Sequence, residues 1–278
     1  MSLTRAARYG FSAMVAFALL TVTAAPAIAQ DAPEPTPAVS VSAGIDLVNQ
    51  YMFRGIRQHS SGMATWPFID LGVAAFEGEG GLKSVGLNIG TWNSAHSSPS
   101  GWYESDIYGT LSLGFGGGVA LGTTYTSYTS PNDSFTHVKE LGFKLSLDDS
   151  ERLGKGALSP YVLFAFEIGT EPGKYQADGG EEAGRYLELG IAPGFSGTRA
   201  SLAVPVKVGL SAGNYYELDG VDNKFGFFSV GGLVTVPVGS HFNVHGGAEF
   251  QALGETTKAL NDGDGSQVIG SFGVGLSF

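Results

Sequence analysis

The sequence contains no cysteine among its 278 residues, so disulfide bonds and thiolate metal sites are both excluded. It also has few charged residues (15%), with an excess of acids that gives a formal net charge of -11. An acidic surface repels phosphate backbones, so we expect no nucleic-acid partner. A G-x-x-x-x-G-K-[ST] phosphate loop is missing as well, which excludes that type of nucleotide site.

Long hydrophobic runs are equally scarce. Two arginines precede an apolar run over residues 11–22, which is too short to span a bilayer, and Ala27-Ile28-Ala29 follows as a small-x-small cleavage pattern. This combination predicts a signal peptide over residues 1–29. Residues 30–38 are rich in proline and predict a stiff, solvated periplasmic tail. The body of the protein then covers residues 39–278.

The body is instead rich in glycine (43 residues in the whole chain) and in alternating apolar positions. Apolar residues at every second position, with small or polar residues between them, are typical of strands that face lipid on one side. The pattern predicts an all-β fold, a transmembrane antiparallel up-and-down β-barrel of about twelve strands. Eight strands are clear: 39–47, 85–89, 107–115, 141–147, 162–168, 202–210, 242–250 and 272–278. Four are less regular: 64–76, 119–129, 185–195 and 225–237.

The lengths of the links between these strands support the same topology. Links after odd-numbered strands are mostly long, whereas those after even-numbered strands are mostly short, with 148–156 as the overlong exception. Such a rhythm is typical of a barrel with long loops on one side and short turns on the other. If the N-terminus lies in the periplasm, the long links are extracellular.

Three features of the wall give further expectations. Lys83, Lys139 and Arg185 fall on the lipid-facing parity at strand ends, where a long basic side chain can reach the interface. Aromatic residues near the loops predict an interfacial girdle; they are Tyr51, Phe53, Trp92, Trp102 and Tyr103. Pro205 lies inside a good strand and lacks an N–H, so we expect a bulge or an error of register there.

The inward parity carries more acids than bases. The lumen-lining candidates are Asp46, Asp70, Glu104, Asp106, Glu140, Glu167, Glu188 and Glu249, against Arg54, Lys144 and Lys207. One interpretation is a narrow pore that favours cations. The other is a lumen filled by side chains whose charges pair with one another. Twelve strands lie between filled and open barrels, so both interpretations stay open.

Other motifs are weaker. Residues 209–213 match the G-x-S-x-G nucleophile pattern, but that motif requires a strand-to-helix turn and a later acid and histidine. His241 and His245 are about 13 Å apart if they lie on one strand, too far for one metal ion, and we interpret both as lumen-facing polar residues. Residues 261–265 contain two acids and two glycines but lack the later glutamate of an EF-hand, so a solvated turn is the simpler interpretation.

A family resemblance adds to this picture. The stretch from Gly44 to Gln58 contains Tyr51-Met52-Phe53-Arg54-Gly55-Ile56-Arg57-Gln58, and residues 90–94 read Gly-Thr-Trp-Asn-Ser. These segments resemble the Y-x-F-R-G-I-x-Q and G-x-W-x-S elements of the Gcw-chp family of uncharacterised proteobacterial envelope proteins, over about residues 41–110. The resemblance implies an outer-membrane barrel and carries over no catalytic residue. By its parity Arg54 faces the lumen, where we expect Asp46 or Asp70 to clamp its guanidinium.

The sequence therefore predicts a protein of the Gram-negative outer membrane, secreted first to the periplasm, with no enzyme activity and no cofactor. The first functional hypothesis is a narrow passive channel for small hydrophilic or cationic solutes. The alternative is a non-conducting structural or interaction barrel with acidic outer loops, and a lipid hydrolase is a distant third. Expected partners are outer-membrane lipid, lipopolysaccharide and the barrel-assembly machinery, which would recognise the terminal strand ending at Phe278.

Overall fold

The computed structural model describes residues 39–97, 101–168 and 182–278. The predicted signal peptide and proline-rich tail lie outside the described residues. In chain order the strands are β1 (Val39–Val48), β2 (Tyr51–Phe53), β3 (Ile56–His59), β4 (Ala64–Glu77), β5 (Leu82–His96), β6 (Gly101–Phe115), β7 (Val119–Thr129), β8 (Val138–Leu147), β9 (Tyr161–Glu167), β10 (Arg185–Ile191), β11 (Gly194–Ser196), β12 (Ser201–Ala203), β13 (Val206–Gly213), β14 (Glu217–Leu218), β15 (Val221–Asp222), β16 (Phe225–Val238), β17 (Phe242–Leu253) and β18 (Ser266–Ser277).

The strands pair with their neighbours to form a closed antiparallel barrel. Each barrel strand follows the previous one around the wall, and β18 pairs with both β17 and β1, which closes the ring. Because β10 and β11 form one barrel strand and β12 and β13 form another, the ring has twelve strands. The predicted fold class and strand number are confirmed. All four irregular segments of the sequence are barrel strands.

Alternation sorts the side chains onto two faces. On β1, Ile45 is 41% exposed on the outside, whereas its neighbour Asp46 is 3% exposed on the inside. The same contrast holds along β4 between Ile69 (50% exposed) and Asp70 (4%). The outer face is therefore a continuous apolar surface, while polar groups are buried within the barrel. A soluble fold would bury the apolar face instead.

The links divide the two ends of the barrel as the sequence predicts. Short links occupy one end, here called the turn end, at residues 78–81, 197–200 and 239–241, together with a 3-10 turn at Gly116–Gly118. The opposite loop end carries longer links, including the β2–β3 hairpin, the β14–β15 hairpin and helix α2 (Glu255–Leu260). Among the described residues, no helix is both long and apolar enough to cross a membrane.

Pro205 produces the expected irregularity. Strands β12 and β13 are separated at Val204 and Pro205, and Val204 N–H instead donates to the Pro193 carbonyl at 2.9 Å. The Pro205 carbonyl still accepts a bond from Gly231 N–H at 2.9 Å. The wall thus stays continuous although the proline cannot donate.

The overlong turn between β8 and β9 contains helix α1 (Ser150–Leu153) and a local anchor. The Asp149 carboxylate accepts bonds from the backbone N–H groups of Ser159 and Leu158, each at 3.0 Å. These bonds, that from Ser159 above all, lower the pKa of Asp149 below its ordinary value. Backbone donors favour the ionised carboxylate, so the turn is fixed by the charged form.

We expect Asp149→Ala to lower the stability of the barrel at neutral pH, because two partly buried backbone N–H groups lose the carboxylate that accepts their bonds. A depressed folded-state pKa contributes stability above the unfolded pKa of about 3.9, and that contribution is lost as pH falls through the folded value. Urea unfolding should therefore show a gap between wild type and variant at pH 7 that narrows below about pH 4. Glu151→Ala, at a nearby exposed position, is the control. A gap that does not narrow would contradict this role.

Candidate functional site: the closed interior

The β2–β3 hairpin does not join the wall but lies inside the barrel. Phe53 pairs with Ile56 across a two-residue turn made by Arg54 and Gly55, whose φ angles are +49° and +83°. Positive φ at both turn residues is the geometry of a type I′ hairpin, which glycine adopts readily and arginine rarely. Tyr51, Met52 and Phe53 are at most 2% exposed. The hairpin is thus a buried plug rather than an outer loop, and we call it the plug hairpin.

One side of the plug hairpin packs on aromatic residues of the wall. The ring of Tyr51 lies 5.2 Å from Trp66 and 5.5 Å from Trp92, measured between centroids. Phe53 makes an edge contact with Tyr128 at 5.8 Å. Together these residues belong to one buried cluster. For a small internal hairpin, the burial of aromatic rings is the main source of the free energy that holds it in place.

The opposite side packs on a tyrosine cluster. Ile56 of the hairpin is buried with Tyr186, Tyr215, Tyr216 and Phe227. The segment that carries Tyr215 and Tyr216 follows β13, so a second link from the loop end also turns into the barrel. Burial raises the pKa of both tyrosines, which keeps their hydroxyls protonated as hydrogen-bond donors.

Arg54 at the tip of the plug hairpin is held by a bidentate ion pair with Glu140 on β8. Nη1 lies 2.5 Å from Oε2 and Nη2 lies 2.8 Å from Oε1. Its guanidinium also lies 4.2 Å from the ring centroid of Tyr186. Burial alone would lower the pKa of Arg54, but the Glu140 carboxylate outweighs it, so the pKa is raised well above its ordinary value. The arginine stays charged, and two parallel bonds fix its orientation.

The backbone of the hairpin tip is bonded as well. Tyr216 hydroxyl donates to the Arg54 carbonyl at 2.8 Å, and the Asn261 amide donates to the Gly55 carbonyl at the same distance. Tyr128 hydroxyl completes the arrangement by donating to Glu140 Oε1 at 3.2 Å. Contacts from separate parts of the wall and loops therefore meet at the tip.

The expected clamp on Arg54 is wrong in its partners. Asp46 instead pairs with His245, with 2.6 Å between Oδ1 and Nε2. Asp70 accepts a bond from the Tyr108 hydroxyl at 2.6 Å. Both acids lie on strands, whereas the hairpin carries Arg54 across the interior to β8. Parity alone could not show that displacement.

The structure places the other lumen candidates on the inner face. Glu104, Asp106, Glu140 and Glu167 are at most 4% exposed. Lys207 lies 3.5 Å from Glu249, and Glu188 accepts bonds from the hydroxyls of Tyr161 (2.8 Å) and Tyr186 (2.5 Å). Lys144 lies 4.1 Å from the ring centroid of Tyr161. Whether these residues line a path for solutes stays a prediction.

The predicted aromatic girdle is wrong for most of its members. Tyr51, Phe53 and Trp92 are fully buried in the interior, and Tyr103 packs against the same cluster. Only Trp102 of this set is well exposed, at 55%. The aromatic residues near the loops serve the plug because the hairpin turns inward instead of outward.

The residues of the weaker motifs make ordinary structural contacts. Ser211 lies on β13, where its hydroxyl accepts the Tyr215 N–H at 3.1 Å, so the strand-to-helix turn of a nucleophile elbow is missing. His241 is not lumen-facing as expected; it precedes β17 and stacks on Phe278 at 4.6 Å. Asp262 and Asp264 pair with Arg57. No group of three or more His, Asp or Glu side chains fit to hold a metal ion occurs in 39–97, 101–168 or 182–278.

Comparison with known proteins gives similarity of fold at low identity. No protein-family model matches the sequence, and no curated protein does, so the resemblance to the Gcw-chp family stays a prediction. The chain is similar to the translocator domain of the autotransporter NalP from Neisseria meningitidis, with a TM-score of 0.43 and 14% identity over 88% of this chain and 89% of that one. It is also similar to the NanC porin (TM-score 0.43, 11% identity, 87% and 99% covered) and to outer membrane phospholipase A from Escherichia coli (0.43, 12%, 89% and 94%). These similarities assign no activity to the chain.

Proposed function

We propose that the protein is an integral β-barrel of a Gram-negative outer membrane that does not conduct solutes in this conformation. It serves as a structural or interaction barrel through its acidic outer loops and its lipid-facing wall. The observation that carries the proposal is the plug hairpin, buried across the lumen and fixed by the Arg54–Glu140 pair. The location is supported by the outer face, where apolar side chains such as Ile89 (57% exposed) and Ile107 (62%) are suited to contact with lipid hydrocarbon and not with water. Secretion by way of residues 1–29 belongs to the same proposal.

The plug is costly to remove in this arrangement. A buried ion pair with good geometry is weak evidence for stability by itself, but the loss of one partner leaves a buried charge uncompensated. Movement of the hairpin would leave the buried Glu140 carboxylate without its cation and would also expose Tyr51 and Phe53 to water. The closed state is therefore the favoured state of the lumen, not one of several equal arrangements.

A second candidate is a gated, narrow channel. The observation that favours it is the polar inner face in the middle and the turn-end half of the barrel, where Lys207, Glu249 and His245 retain partial exposure. If the plug hairpin left the lumen, this half would join the loop end and present more acids than bases, which favours cations. Small hydrophilic or cationic solutes are the class that such a path would admit.

We propose no hydrolase role for the G-x-S-x-G segment, since Ser211 lies within a strand and its hydroxyl accepts the Tyr215 N–H. Its partners are outer-membrane lipid, lipopolysaccharide and the assembly machinery that inserts barrels. Recognition by that machinery through the terminal strand, whose outer face includes Phe272 and Val274, stays a prediction of the sequence.

Two measurements test the proposal. Membrane fractionation of cells that produce the full chain should place it in the outer membrane, with the heat-modifiable gel mobility of a folded barrel. Liposomes that contain the purified protein should retain small sugars and potassium ions as well as empty liposomes do. Rapid solute entry into the liposomes would reject the closed barrel and favour the channel. Recovery in the soluble fraction would reject the membrane location.

A further inference from the structure

A basic pair lies on the outer face at the loop end. Lys139 is the second residue of β8 and Arg185 is the first residue of β10, and both follow the outward parity of their strands. Arg185 is exposed and Lys139 is half-buried. Within the part of the chain that the structure describes, neither side chain makes an ion pair with an acid. In a protein of net charge -11, two adjacent outward cations without an acid partner require an explanation.

The two cations are close enough to act together. Only β9 separates their strands, and the two residues are offset by two positions along it, so their backbones lie about 12 Å apart across the wall. Arg185 is opposite Phe166 in the register of β9 and β10, and the Lys139 carbonyl accepts a bond from Ile168 N–H at 2.8 Å. Both long side chains can therefore reach a single multiply charged headgroup.

A cluster of phenylalanines lies directly beside them toward the turn end. Phe143 and Phe164 are register partners on β8 and β9. Both rings lie 6.0 Å from the Phe166 ring between centroids, Phe143 stacked on it and Phe164 tilted. All three follow the outward parity. Cationic side chains at the rim with aromatic rings below match an amphiphile whose anionic head lies at the interface and whose acyl chains lie along the wall.

Polar groups extend the basic pair on its other side. Ser127 on β7 is the register partner of Lys139, and its hydroxyl bonds to His137 Nε2 at 2.8 Å. A hydroxyl and an imidazole beside two cations provide hydrogen bonds for phosphate or sugar oxygens. A generic anchor at the membrane interface needs the long basic chains only.

We propose that this surface, formed by Ser127, His137, Lys139, Arg185 and the three phenylalanines, binds the phosphorylated headgroup of lipopolysaccharide. The phosphate groups lie between Lys139 and Arg185, and the acyl chains pack on the phenylalanine cluster. The inference rests on the proposed outer-membrane location, with the loop end on the outside. It names the lipid partner and the side of the barrel that holds it.

The test measures binding of lipid A to the purified full chain in detergent by native mass spectrometry. Wild type should bind phosphorylated lipid A in preference to the dephosphorylated form. The double variant Lys139→Gln/Arg185→Gln should bind the phosphorylated form about 30-fold more weakly, since each basic residue near an anionic lipid surface contributes about five-fold. The matched control is Lys83→Gln, an outward lysine at the turn end whose Nζ bonds to the Glu79 carbonyl at 2.7 Å. This control should bind like wild type.

The possible outcomes separate this inference from the proposed function. Equal binding by wild type and the double variant, or no preference for phosphorylated lipid A, would overturn the lipid site. Failure of wild type to bind lipid A at all would overturn it as well. Fractionation and gel mobility of the same variants test the location independently, because a protein without the lipid site can still be a folded outer-membrane barrel.

Discussion

Replacement of Arg54 by alanine is expected to destabilise the barrel by about 3–5 kcal/mol, since it leaves a buried carboxylate without its cation. Glu140 is 4% exposed and would keep only the Tyr128 hydroxyl and whatever water could enter. The plug hairpin would lose the contact that fixes its tip. Its aromatic residues would then separate from the wall.

Intrinsic fluorescence can follow this event directly. Trp66 and Trp92 contact Tyr51 of the plug hairpin and are at most 5% exposed, so water at the hairpin shifts their emission to the red. The measurement is urea unfolding of the protein from lipid vesicles, with the emission of the folded state recorded first. We expect Arg54→Ala to show a lower midpoint and a red-shifted folded state.

Arg57→Ala is the matched control for this variant. Arg57 is on the same hairpin, but its carboxylate partners Asp262 and Asp264 are 88% and 58% exposed. Exposed ion pairs contribute about 1 kcal/mol or less. Similar losses in the two variants would show that the hairpin is held by general packing and not by the Arg54–Glu140 pair.

The second large effect is expected at Gly273 on β18, the strand that closes the barrel. The Asp46–His245 pair crosses directly over this glycine from β1 to β17. A Cβ at Gly273 would overlap the Asp46 carboxylate, approach His245 Nε2 to 2.5 Å and lie 2.8 Å from the Ile45 carbonyl oxygen. Since the backbone oxygen cannot move freely, Gly273→Ala should separate the pair and cost about 3 kcal/mol.

The measurement for Gly273→Ala is the fraction of protein with folded mobility on unheated gels over a range of temperature. Gly86→Ala is its control, because Gly86 is also a strand glycine on the inner face and an added Cβ there meets atoms only at 3.8 and 3.9 Å. We expect the Gly273 variant to lose folded mobility at a lower temperature while the Gly86 variant stays like wild type. Equal behaviour would mean that the Asp46–His245 pair does not secure the closure.

The wall of the barrel could be predicted from the sequence because the pattern that defines each strand is local. A period of two along each strand separates lipid-facing from inward residues, and link lengths separate the two ends. Even Pro205 could be expected to break its strand, since a missing N–H is a property of the residue itself. No knowledge of distant contacts was needed for any of these.

The interior could not be predicted in the same way. Parity predicts that Arg54 faces the interior, but it predicts the wrong partners, because the choice of Glu140 depends on how far the plug hairpin crosses the lumen. One signal was present: a Tyr-Met-Phe segment and an Ile-Arg-Gln-His segment flank an Arg-Gly pair, which fits a two-residue hairpin turn. That signal indicates a hairpin but not the direction in which it folds. The misplaced aromatic girdle has the same cause.

The most direct test of the closed lumen is single-channel recording in planar bilayers, with wild type compared to a variant in which residues 50–61 are replaced by a short glycine-serine linker. Wild type should be silent, because the plug hairpin occupies the lumen. The linker variant should show stepwise conductance with a preference for cations, since the inner acids lose Arg54 as a counter-charge. Equal, steady conductance by both proteins would contradict the account.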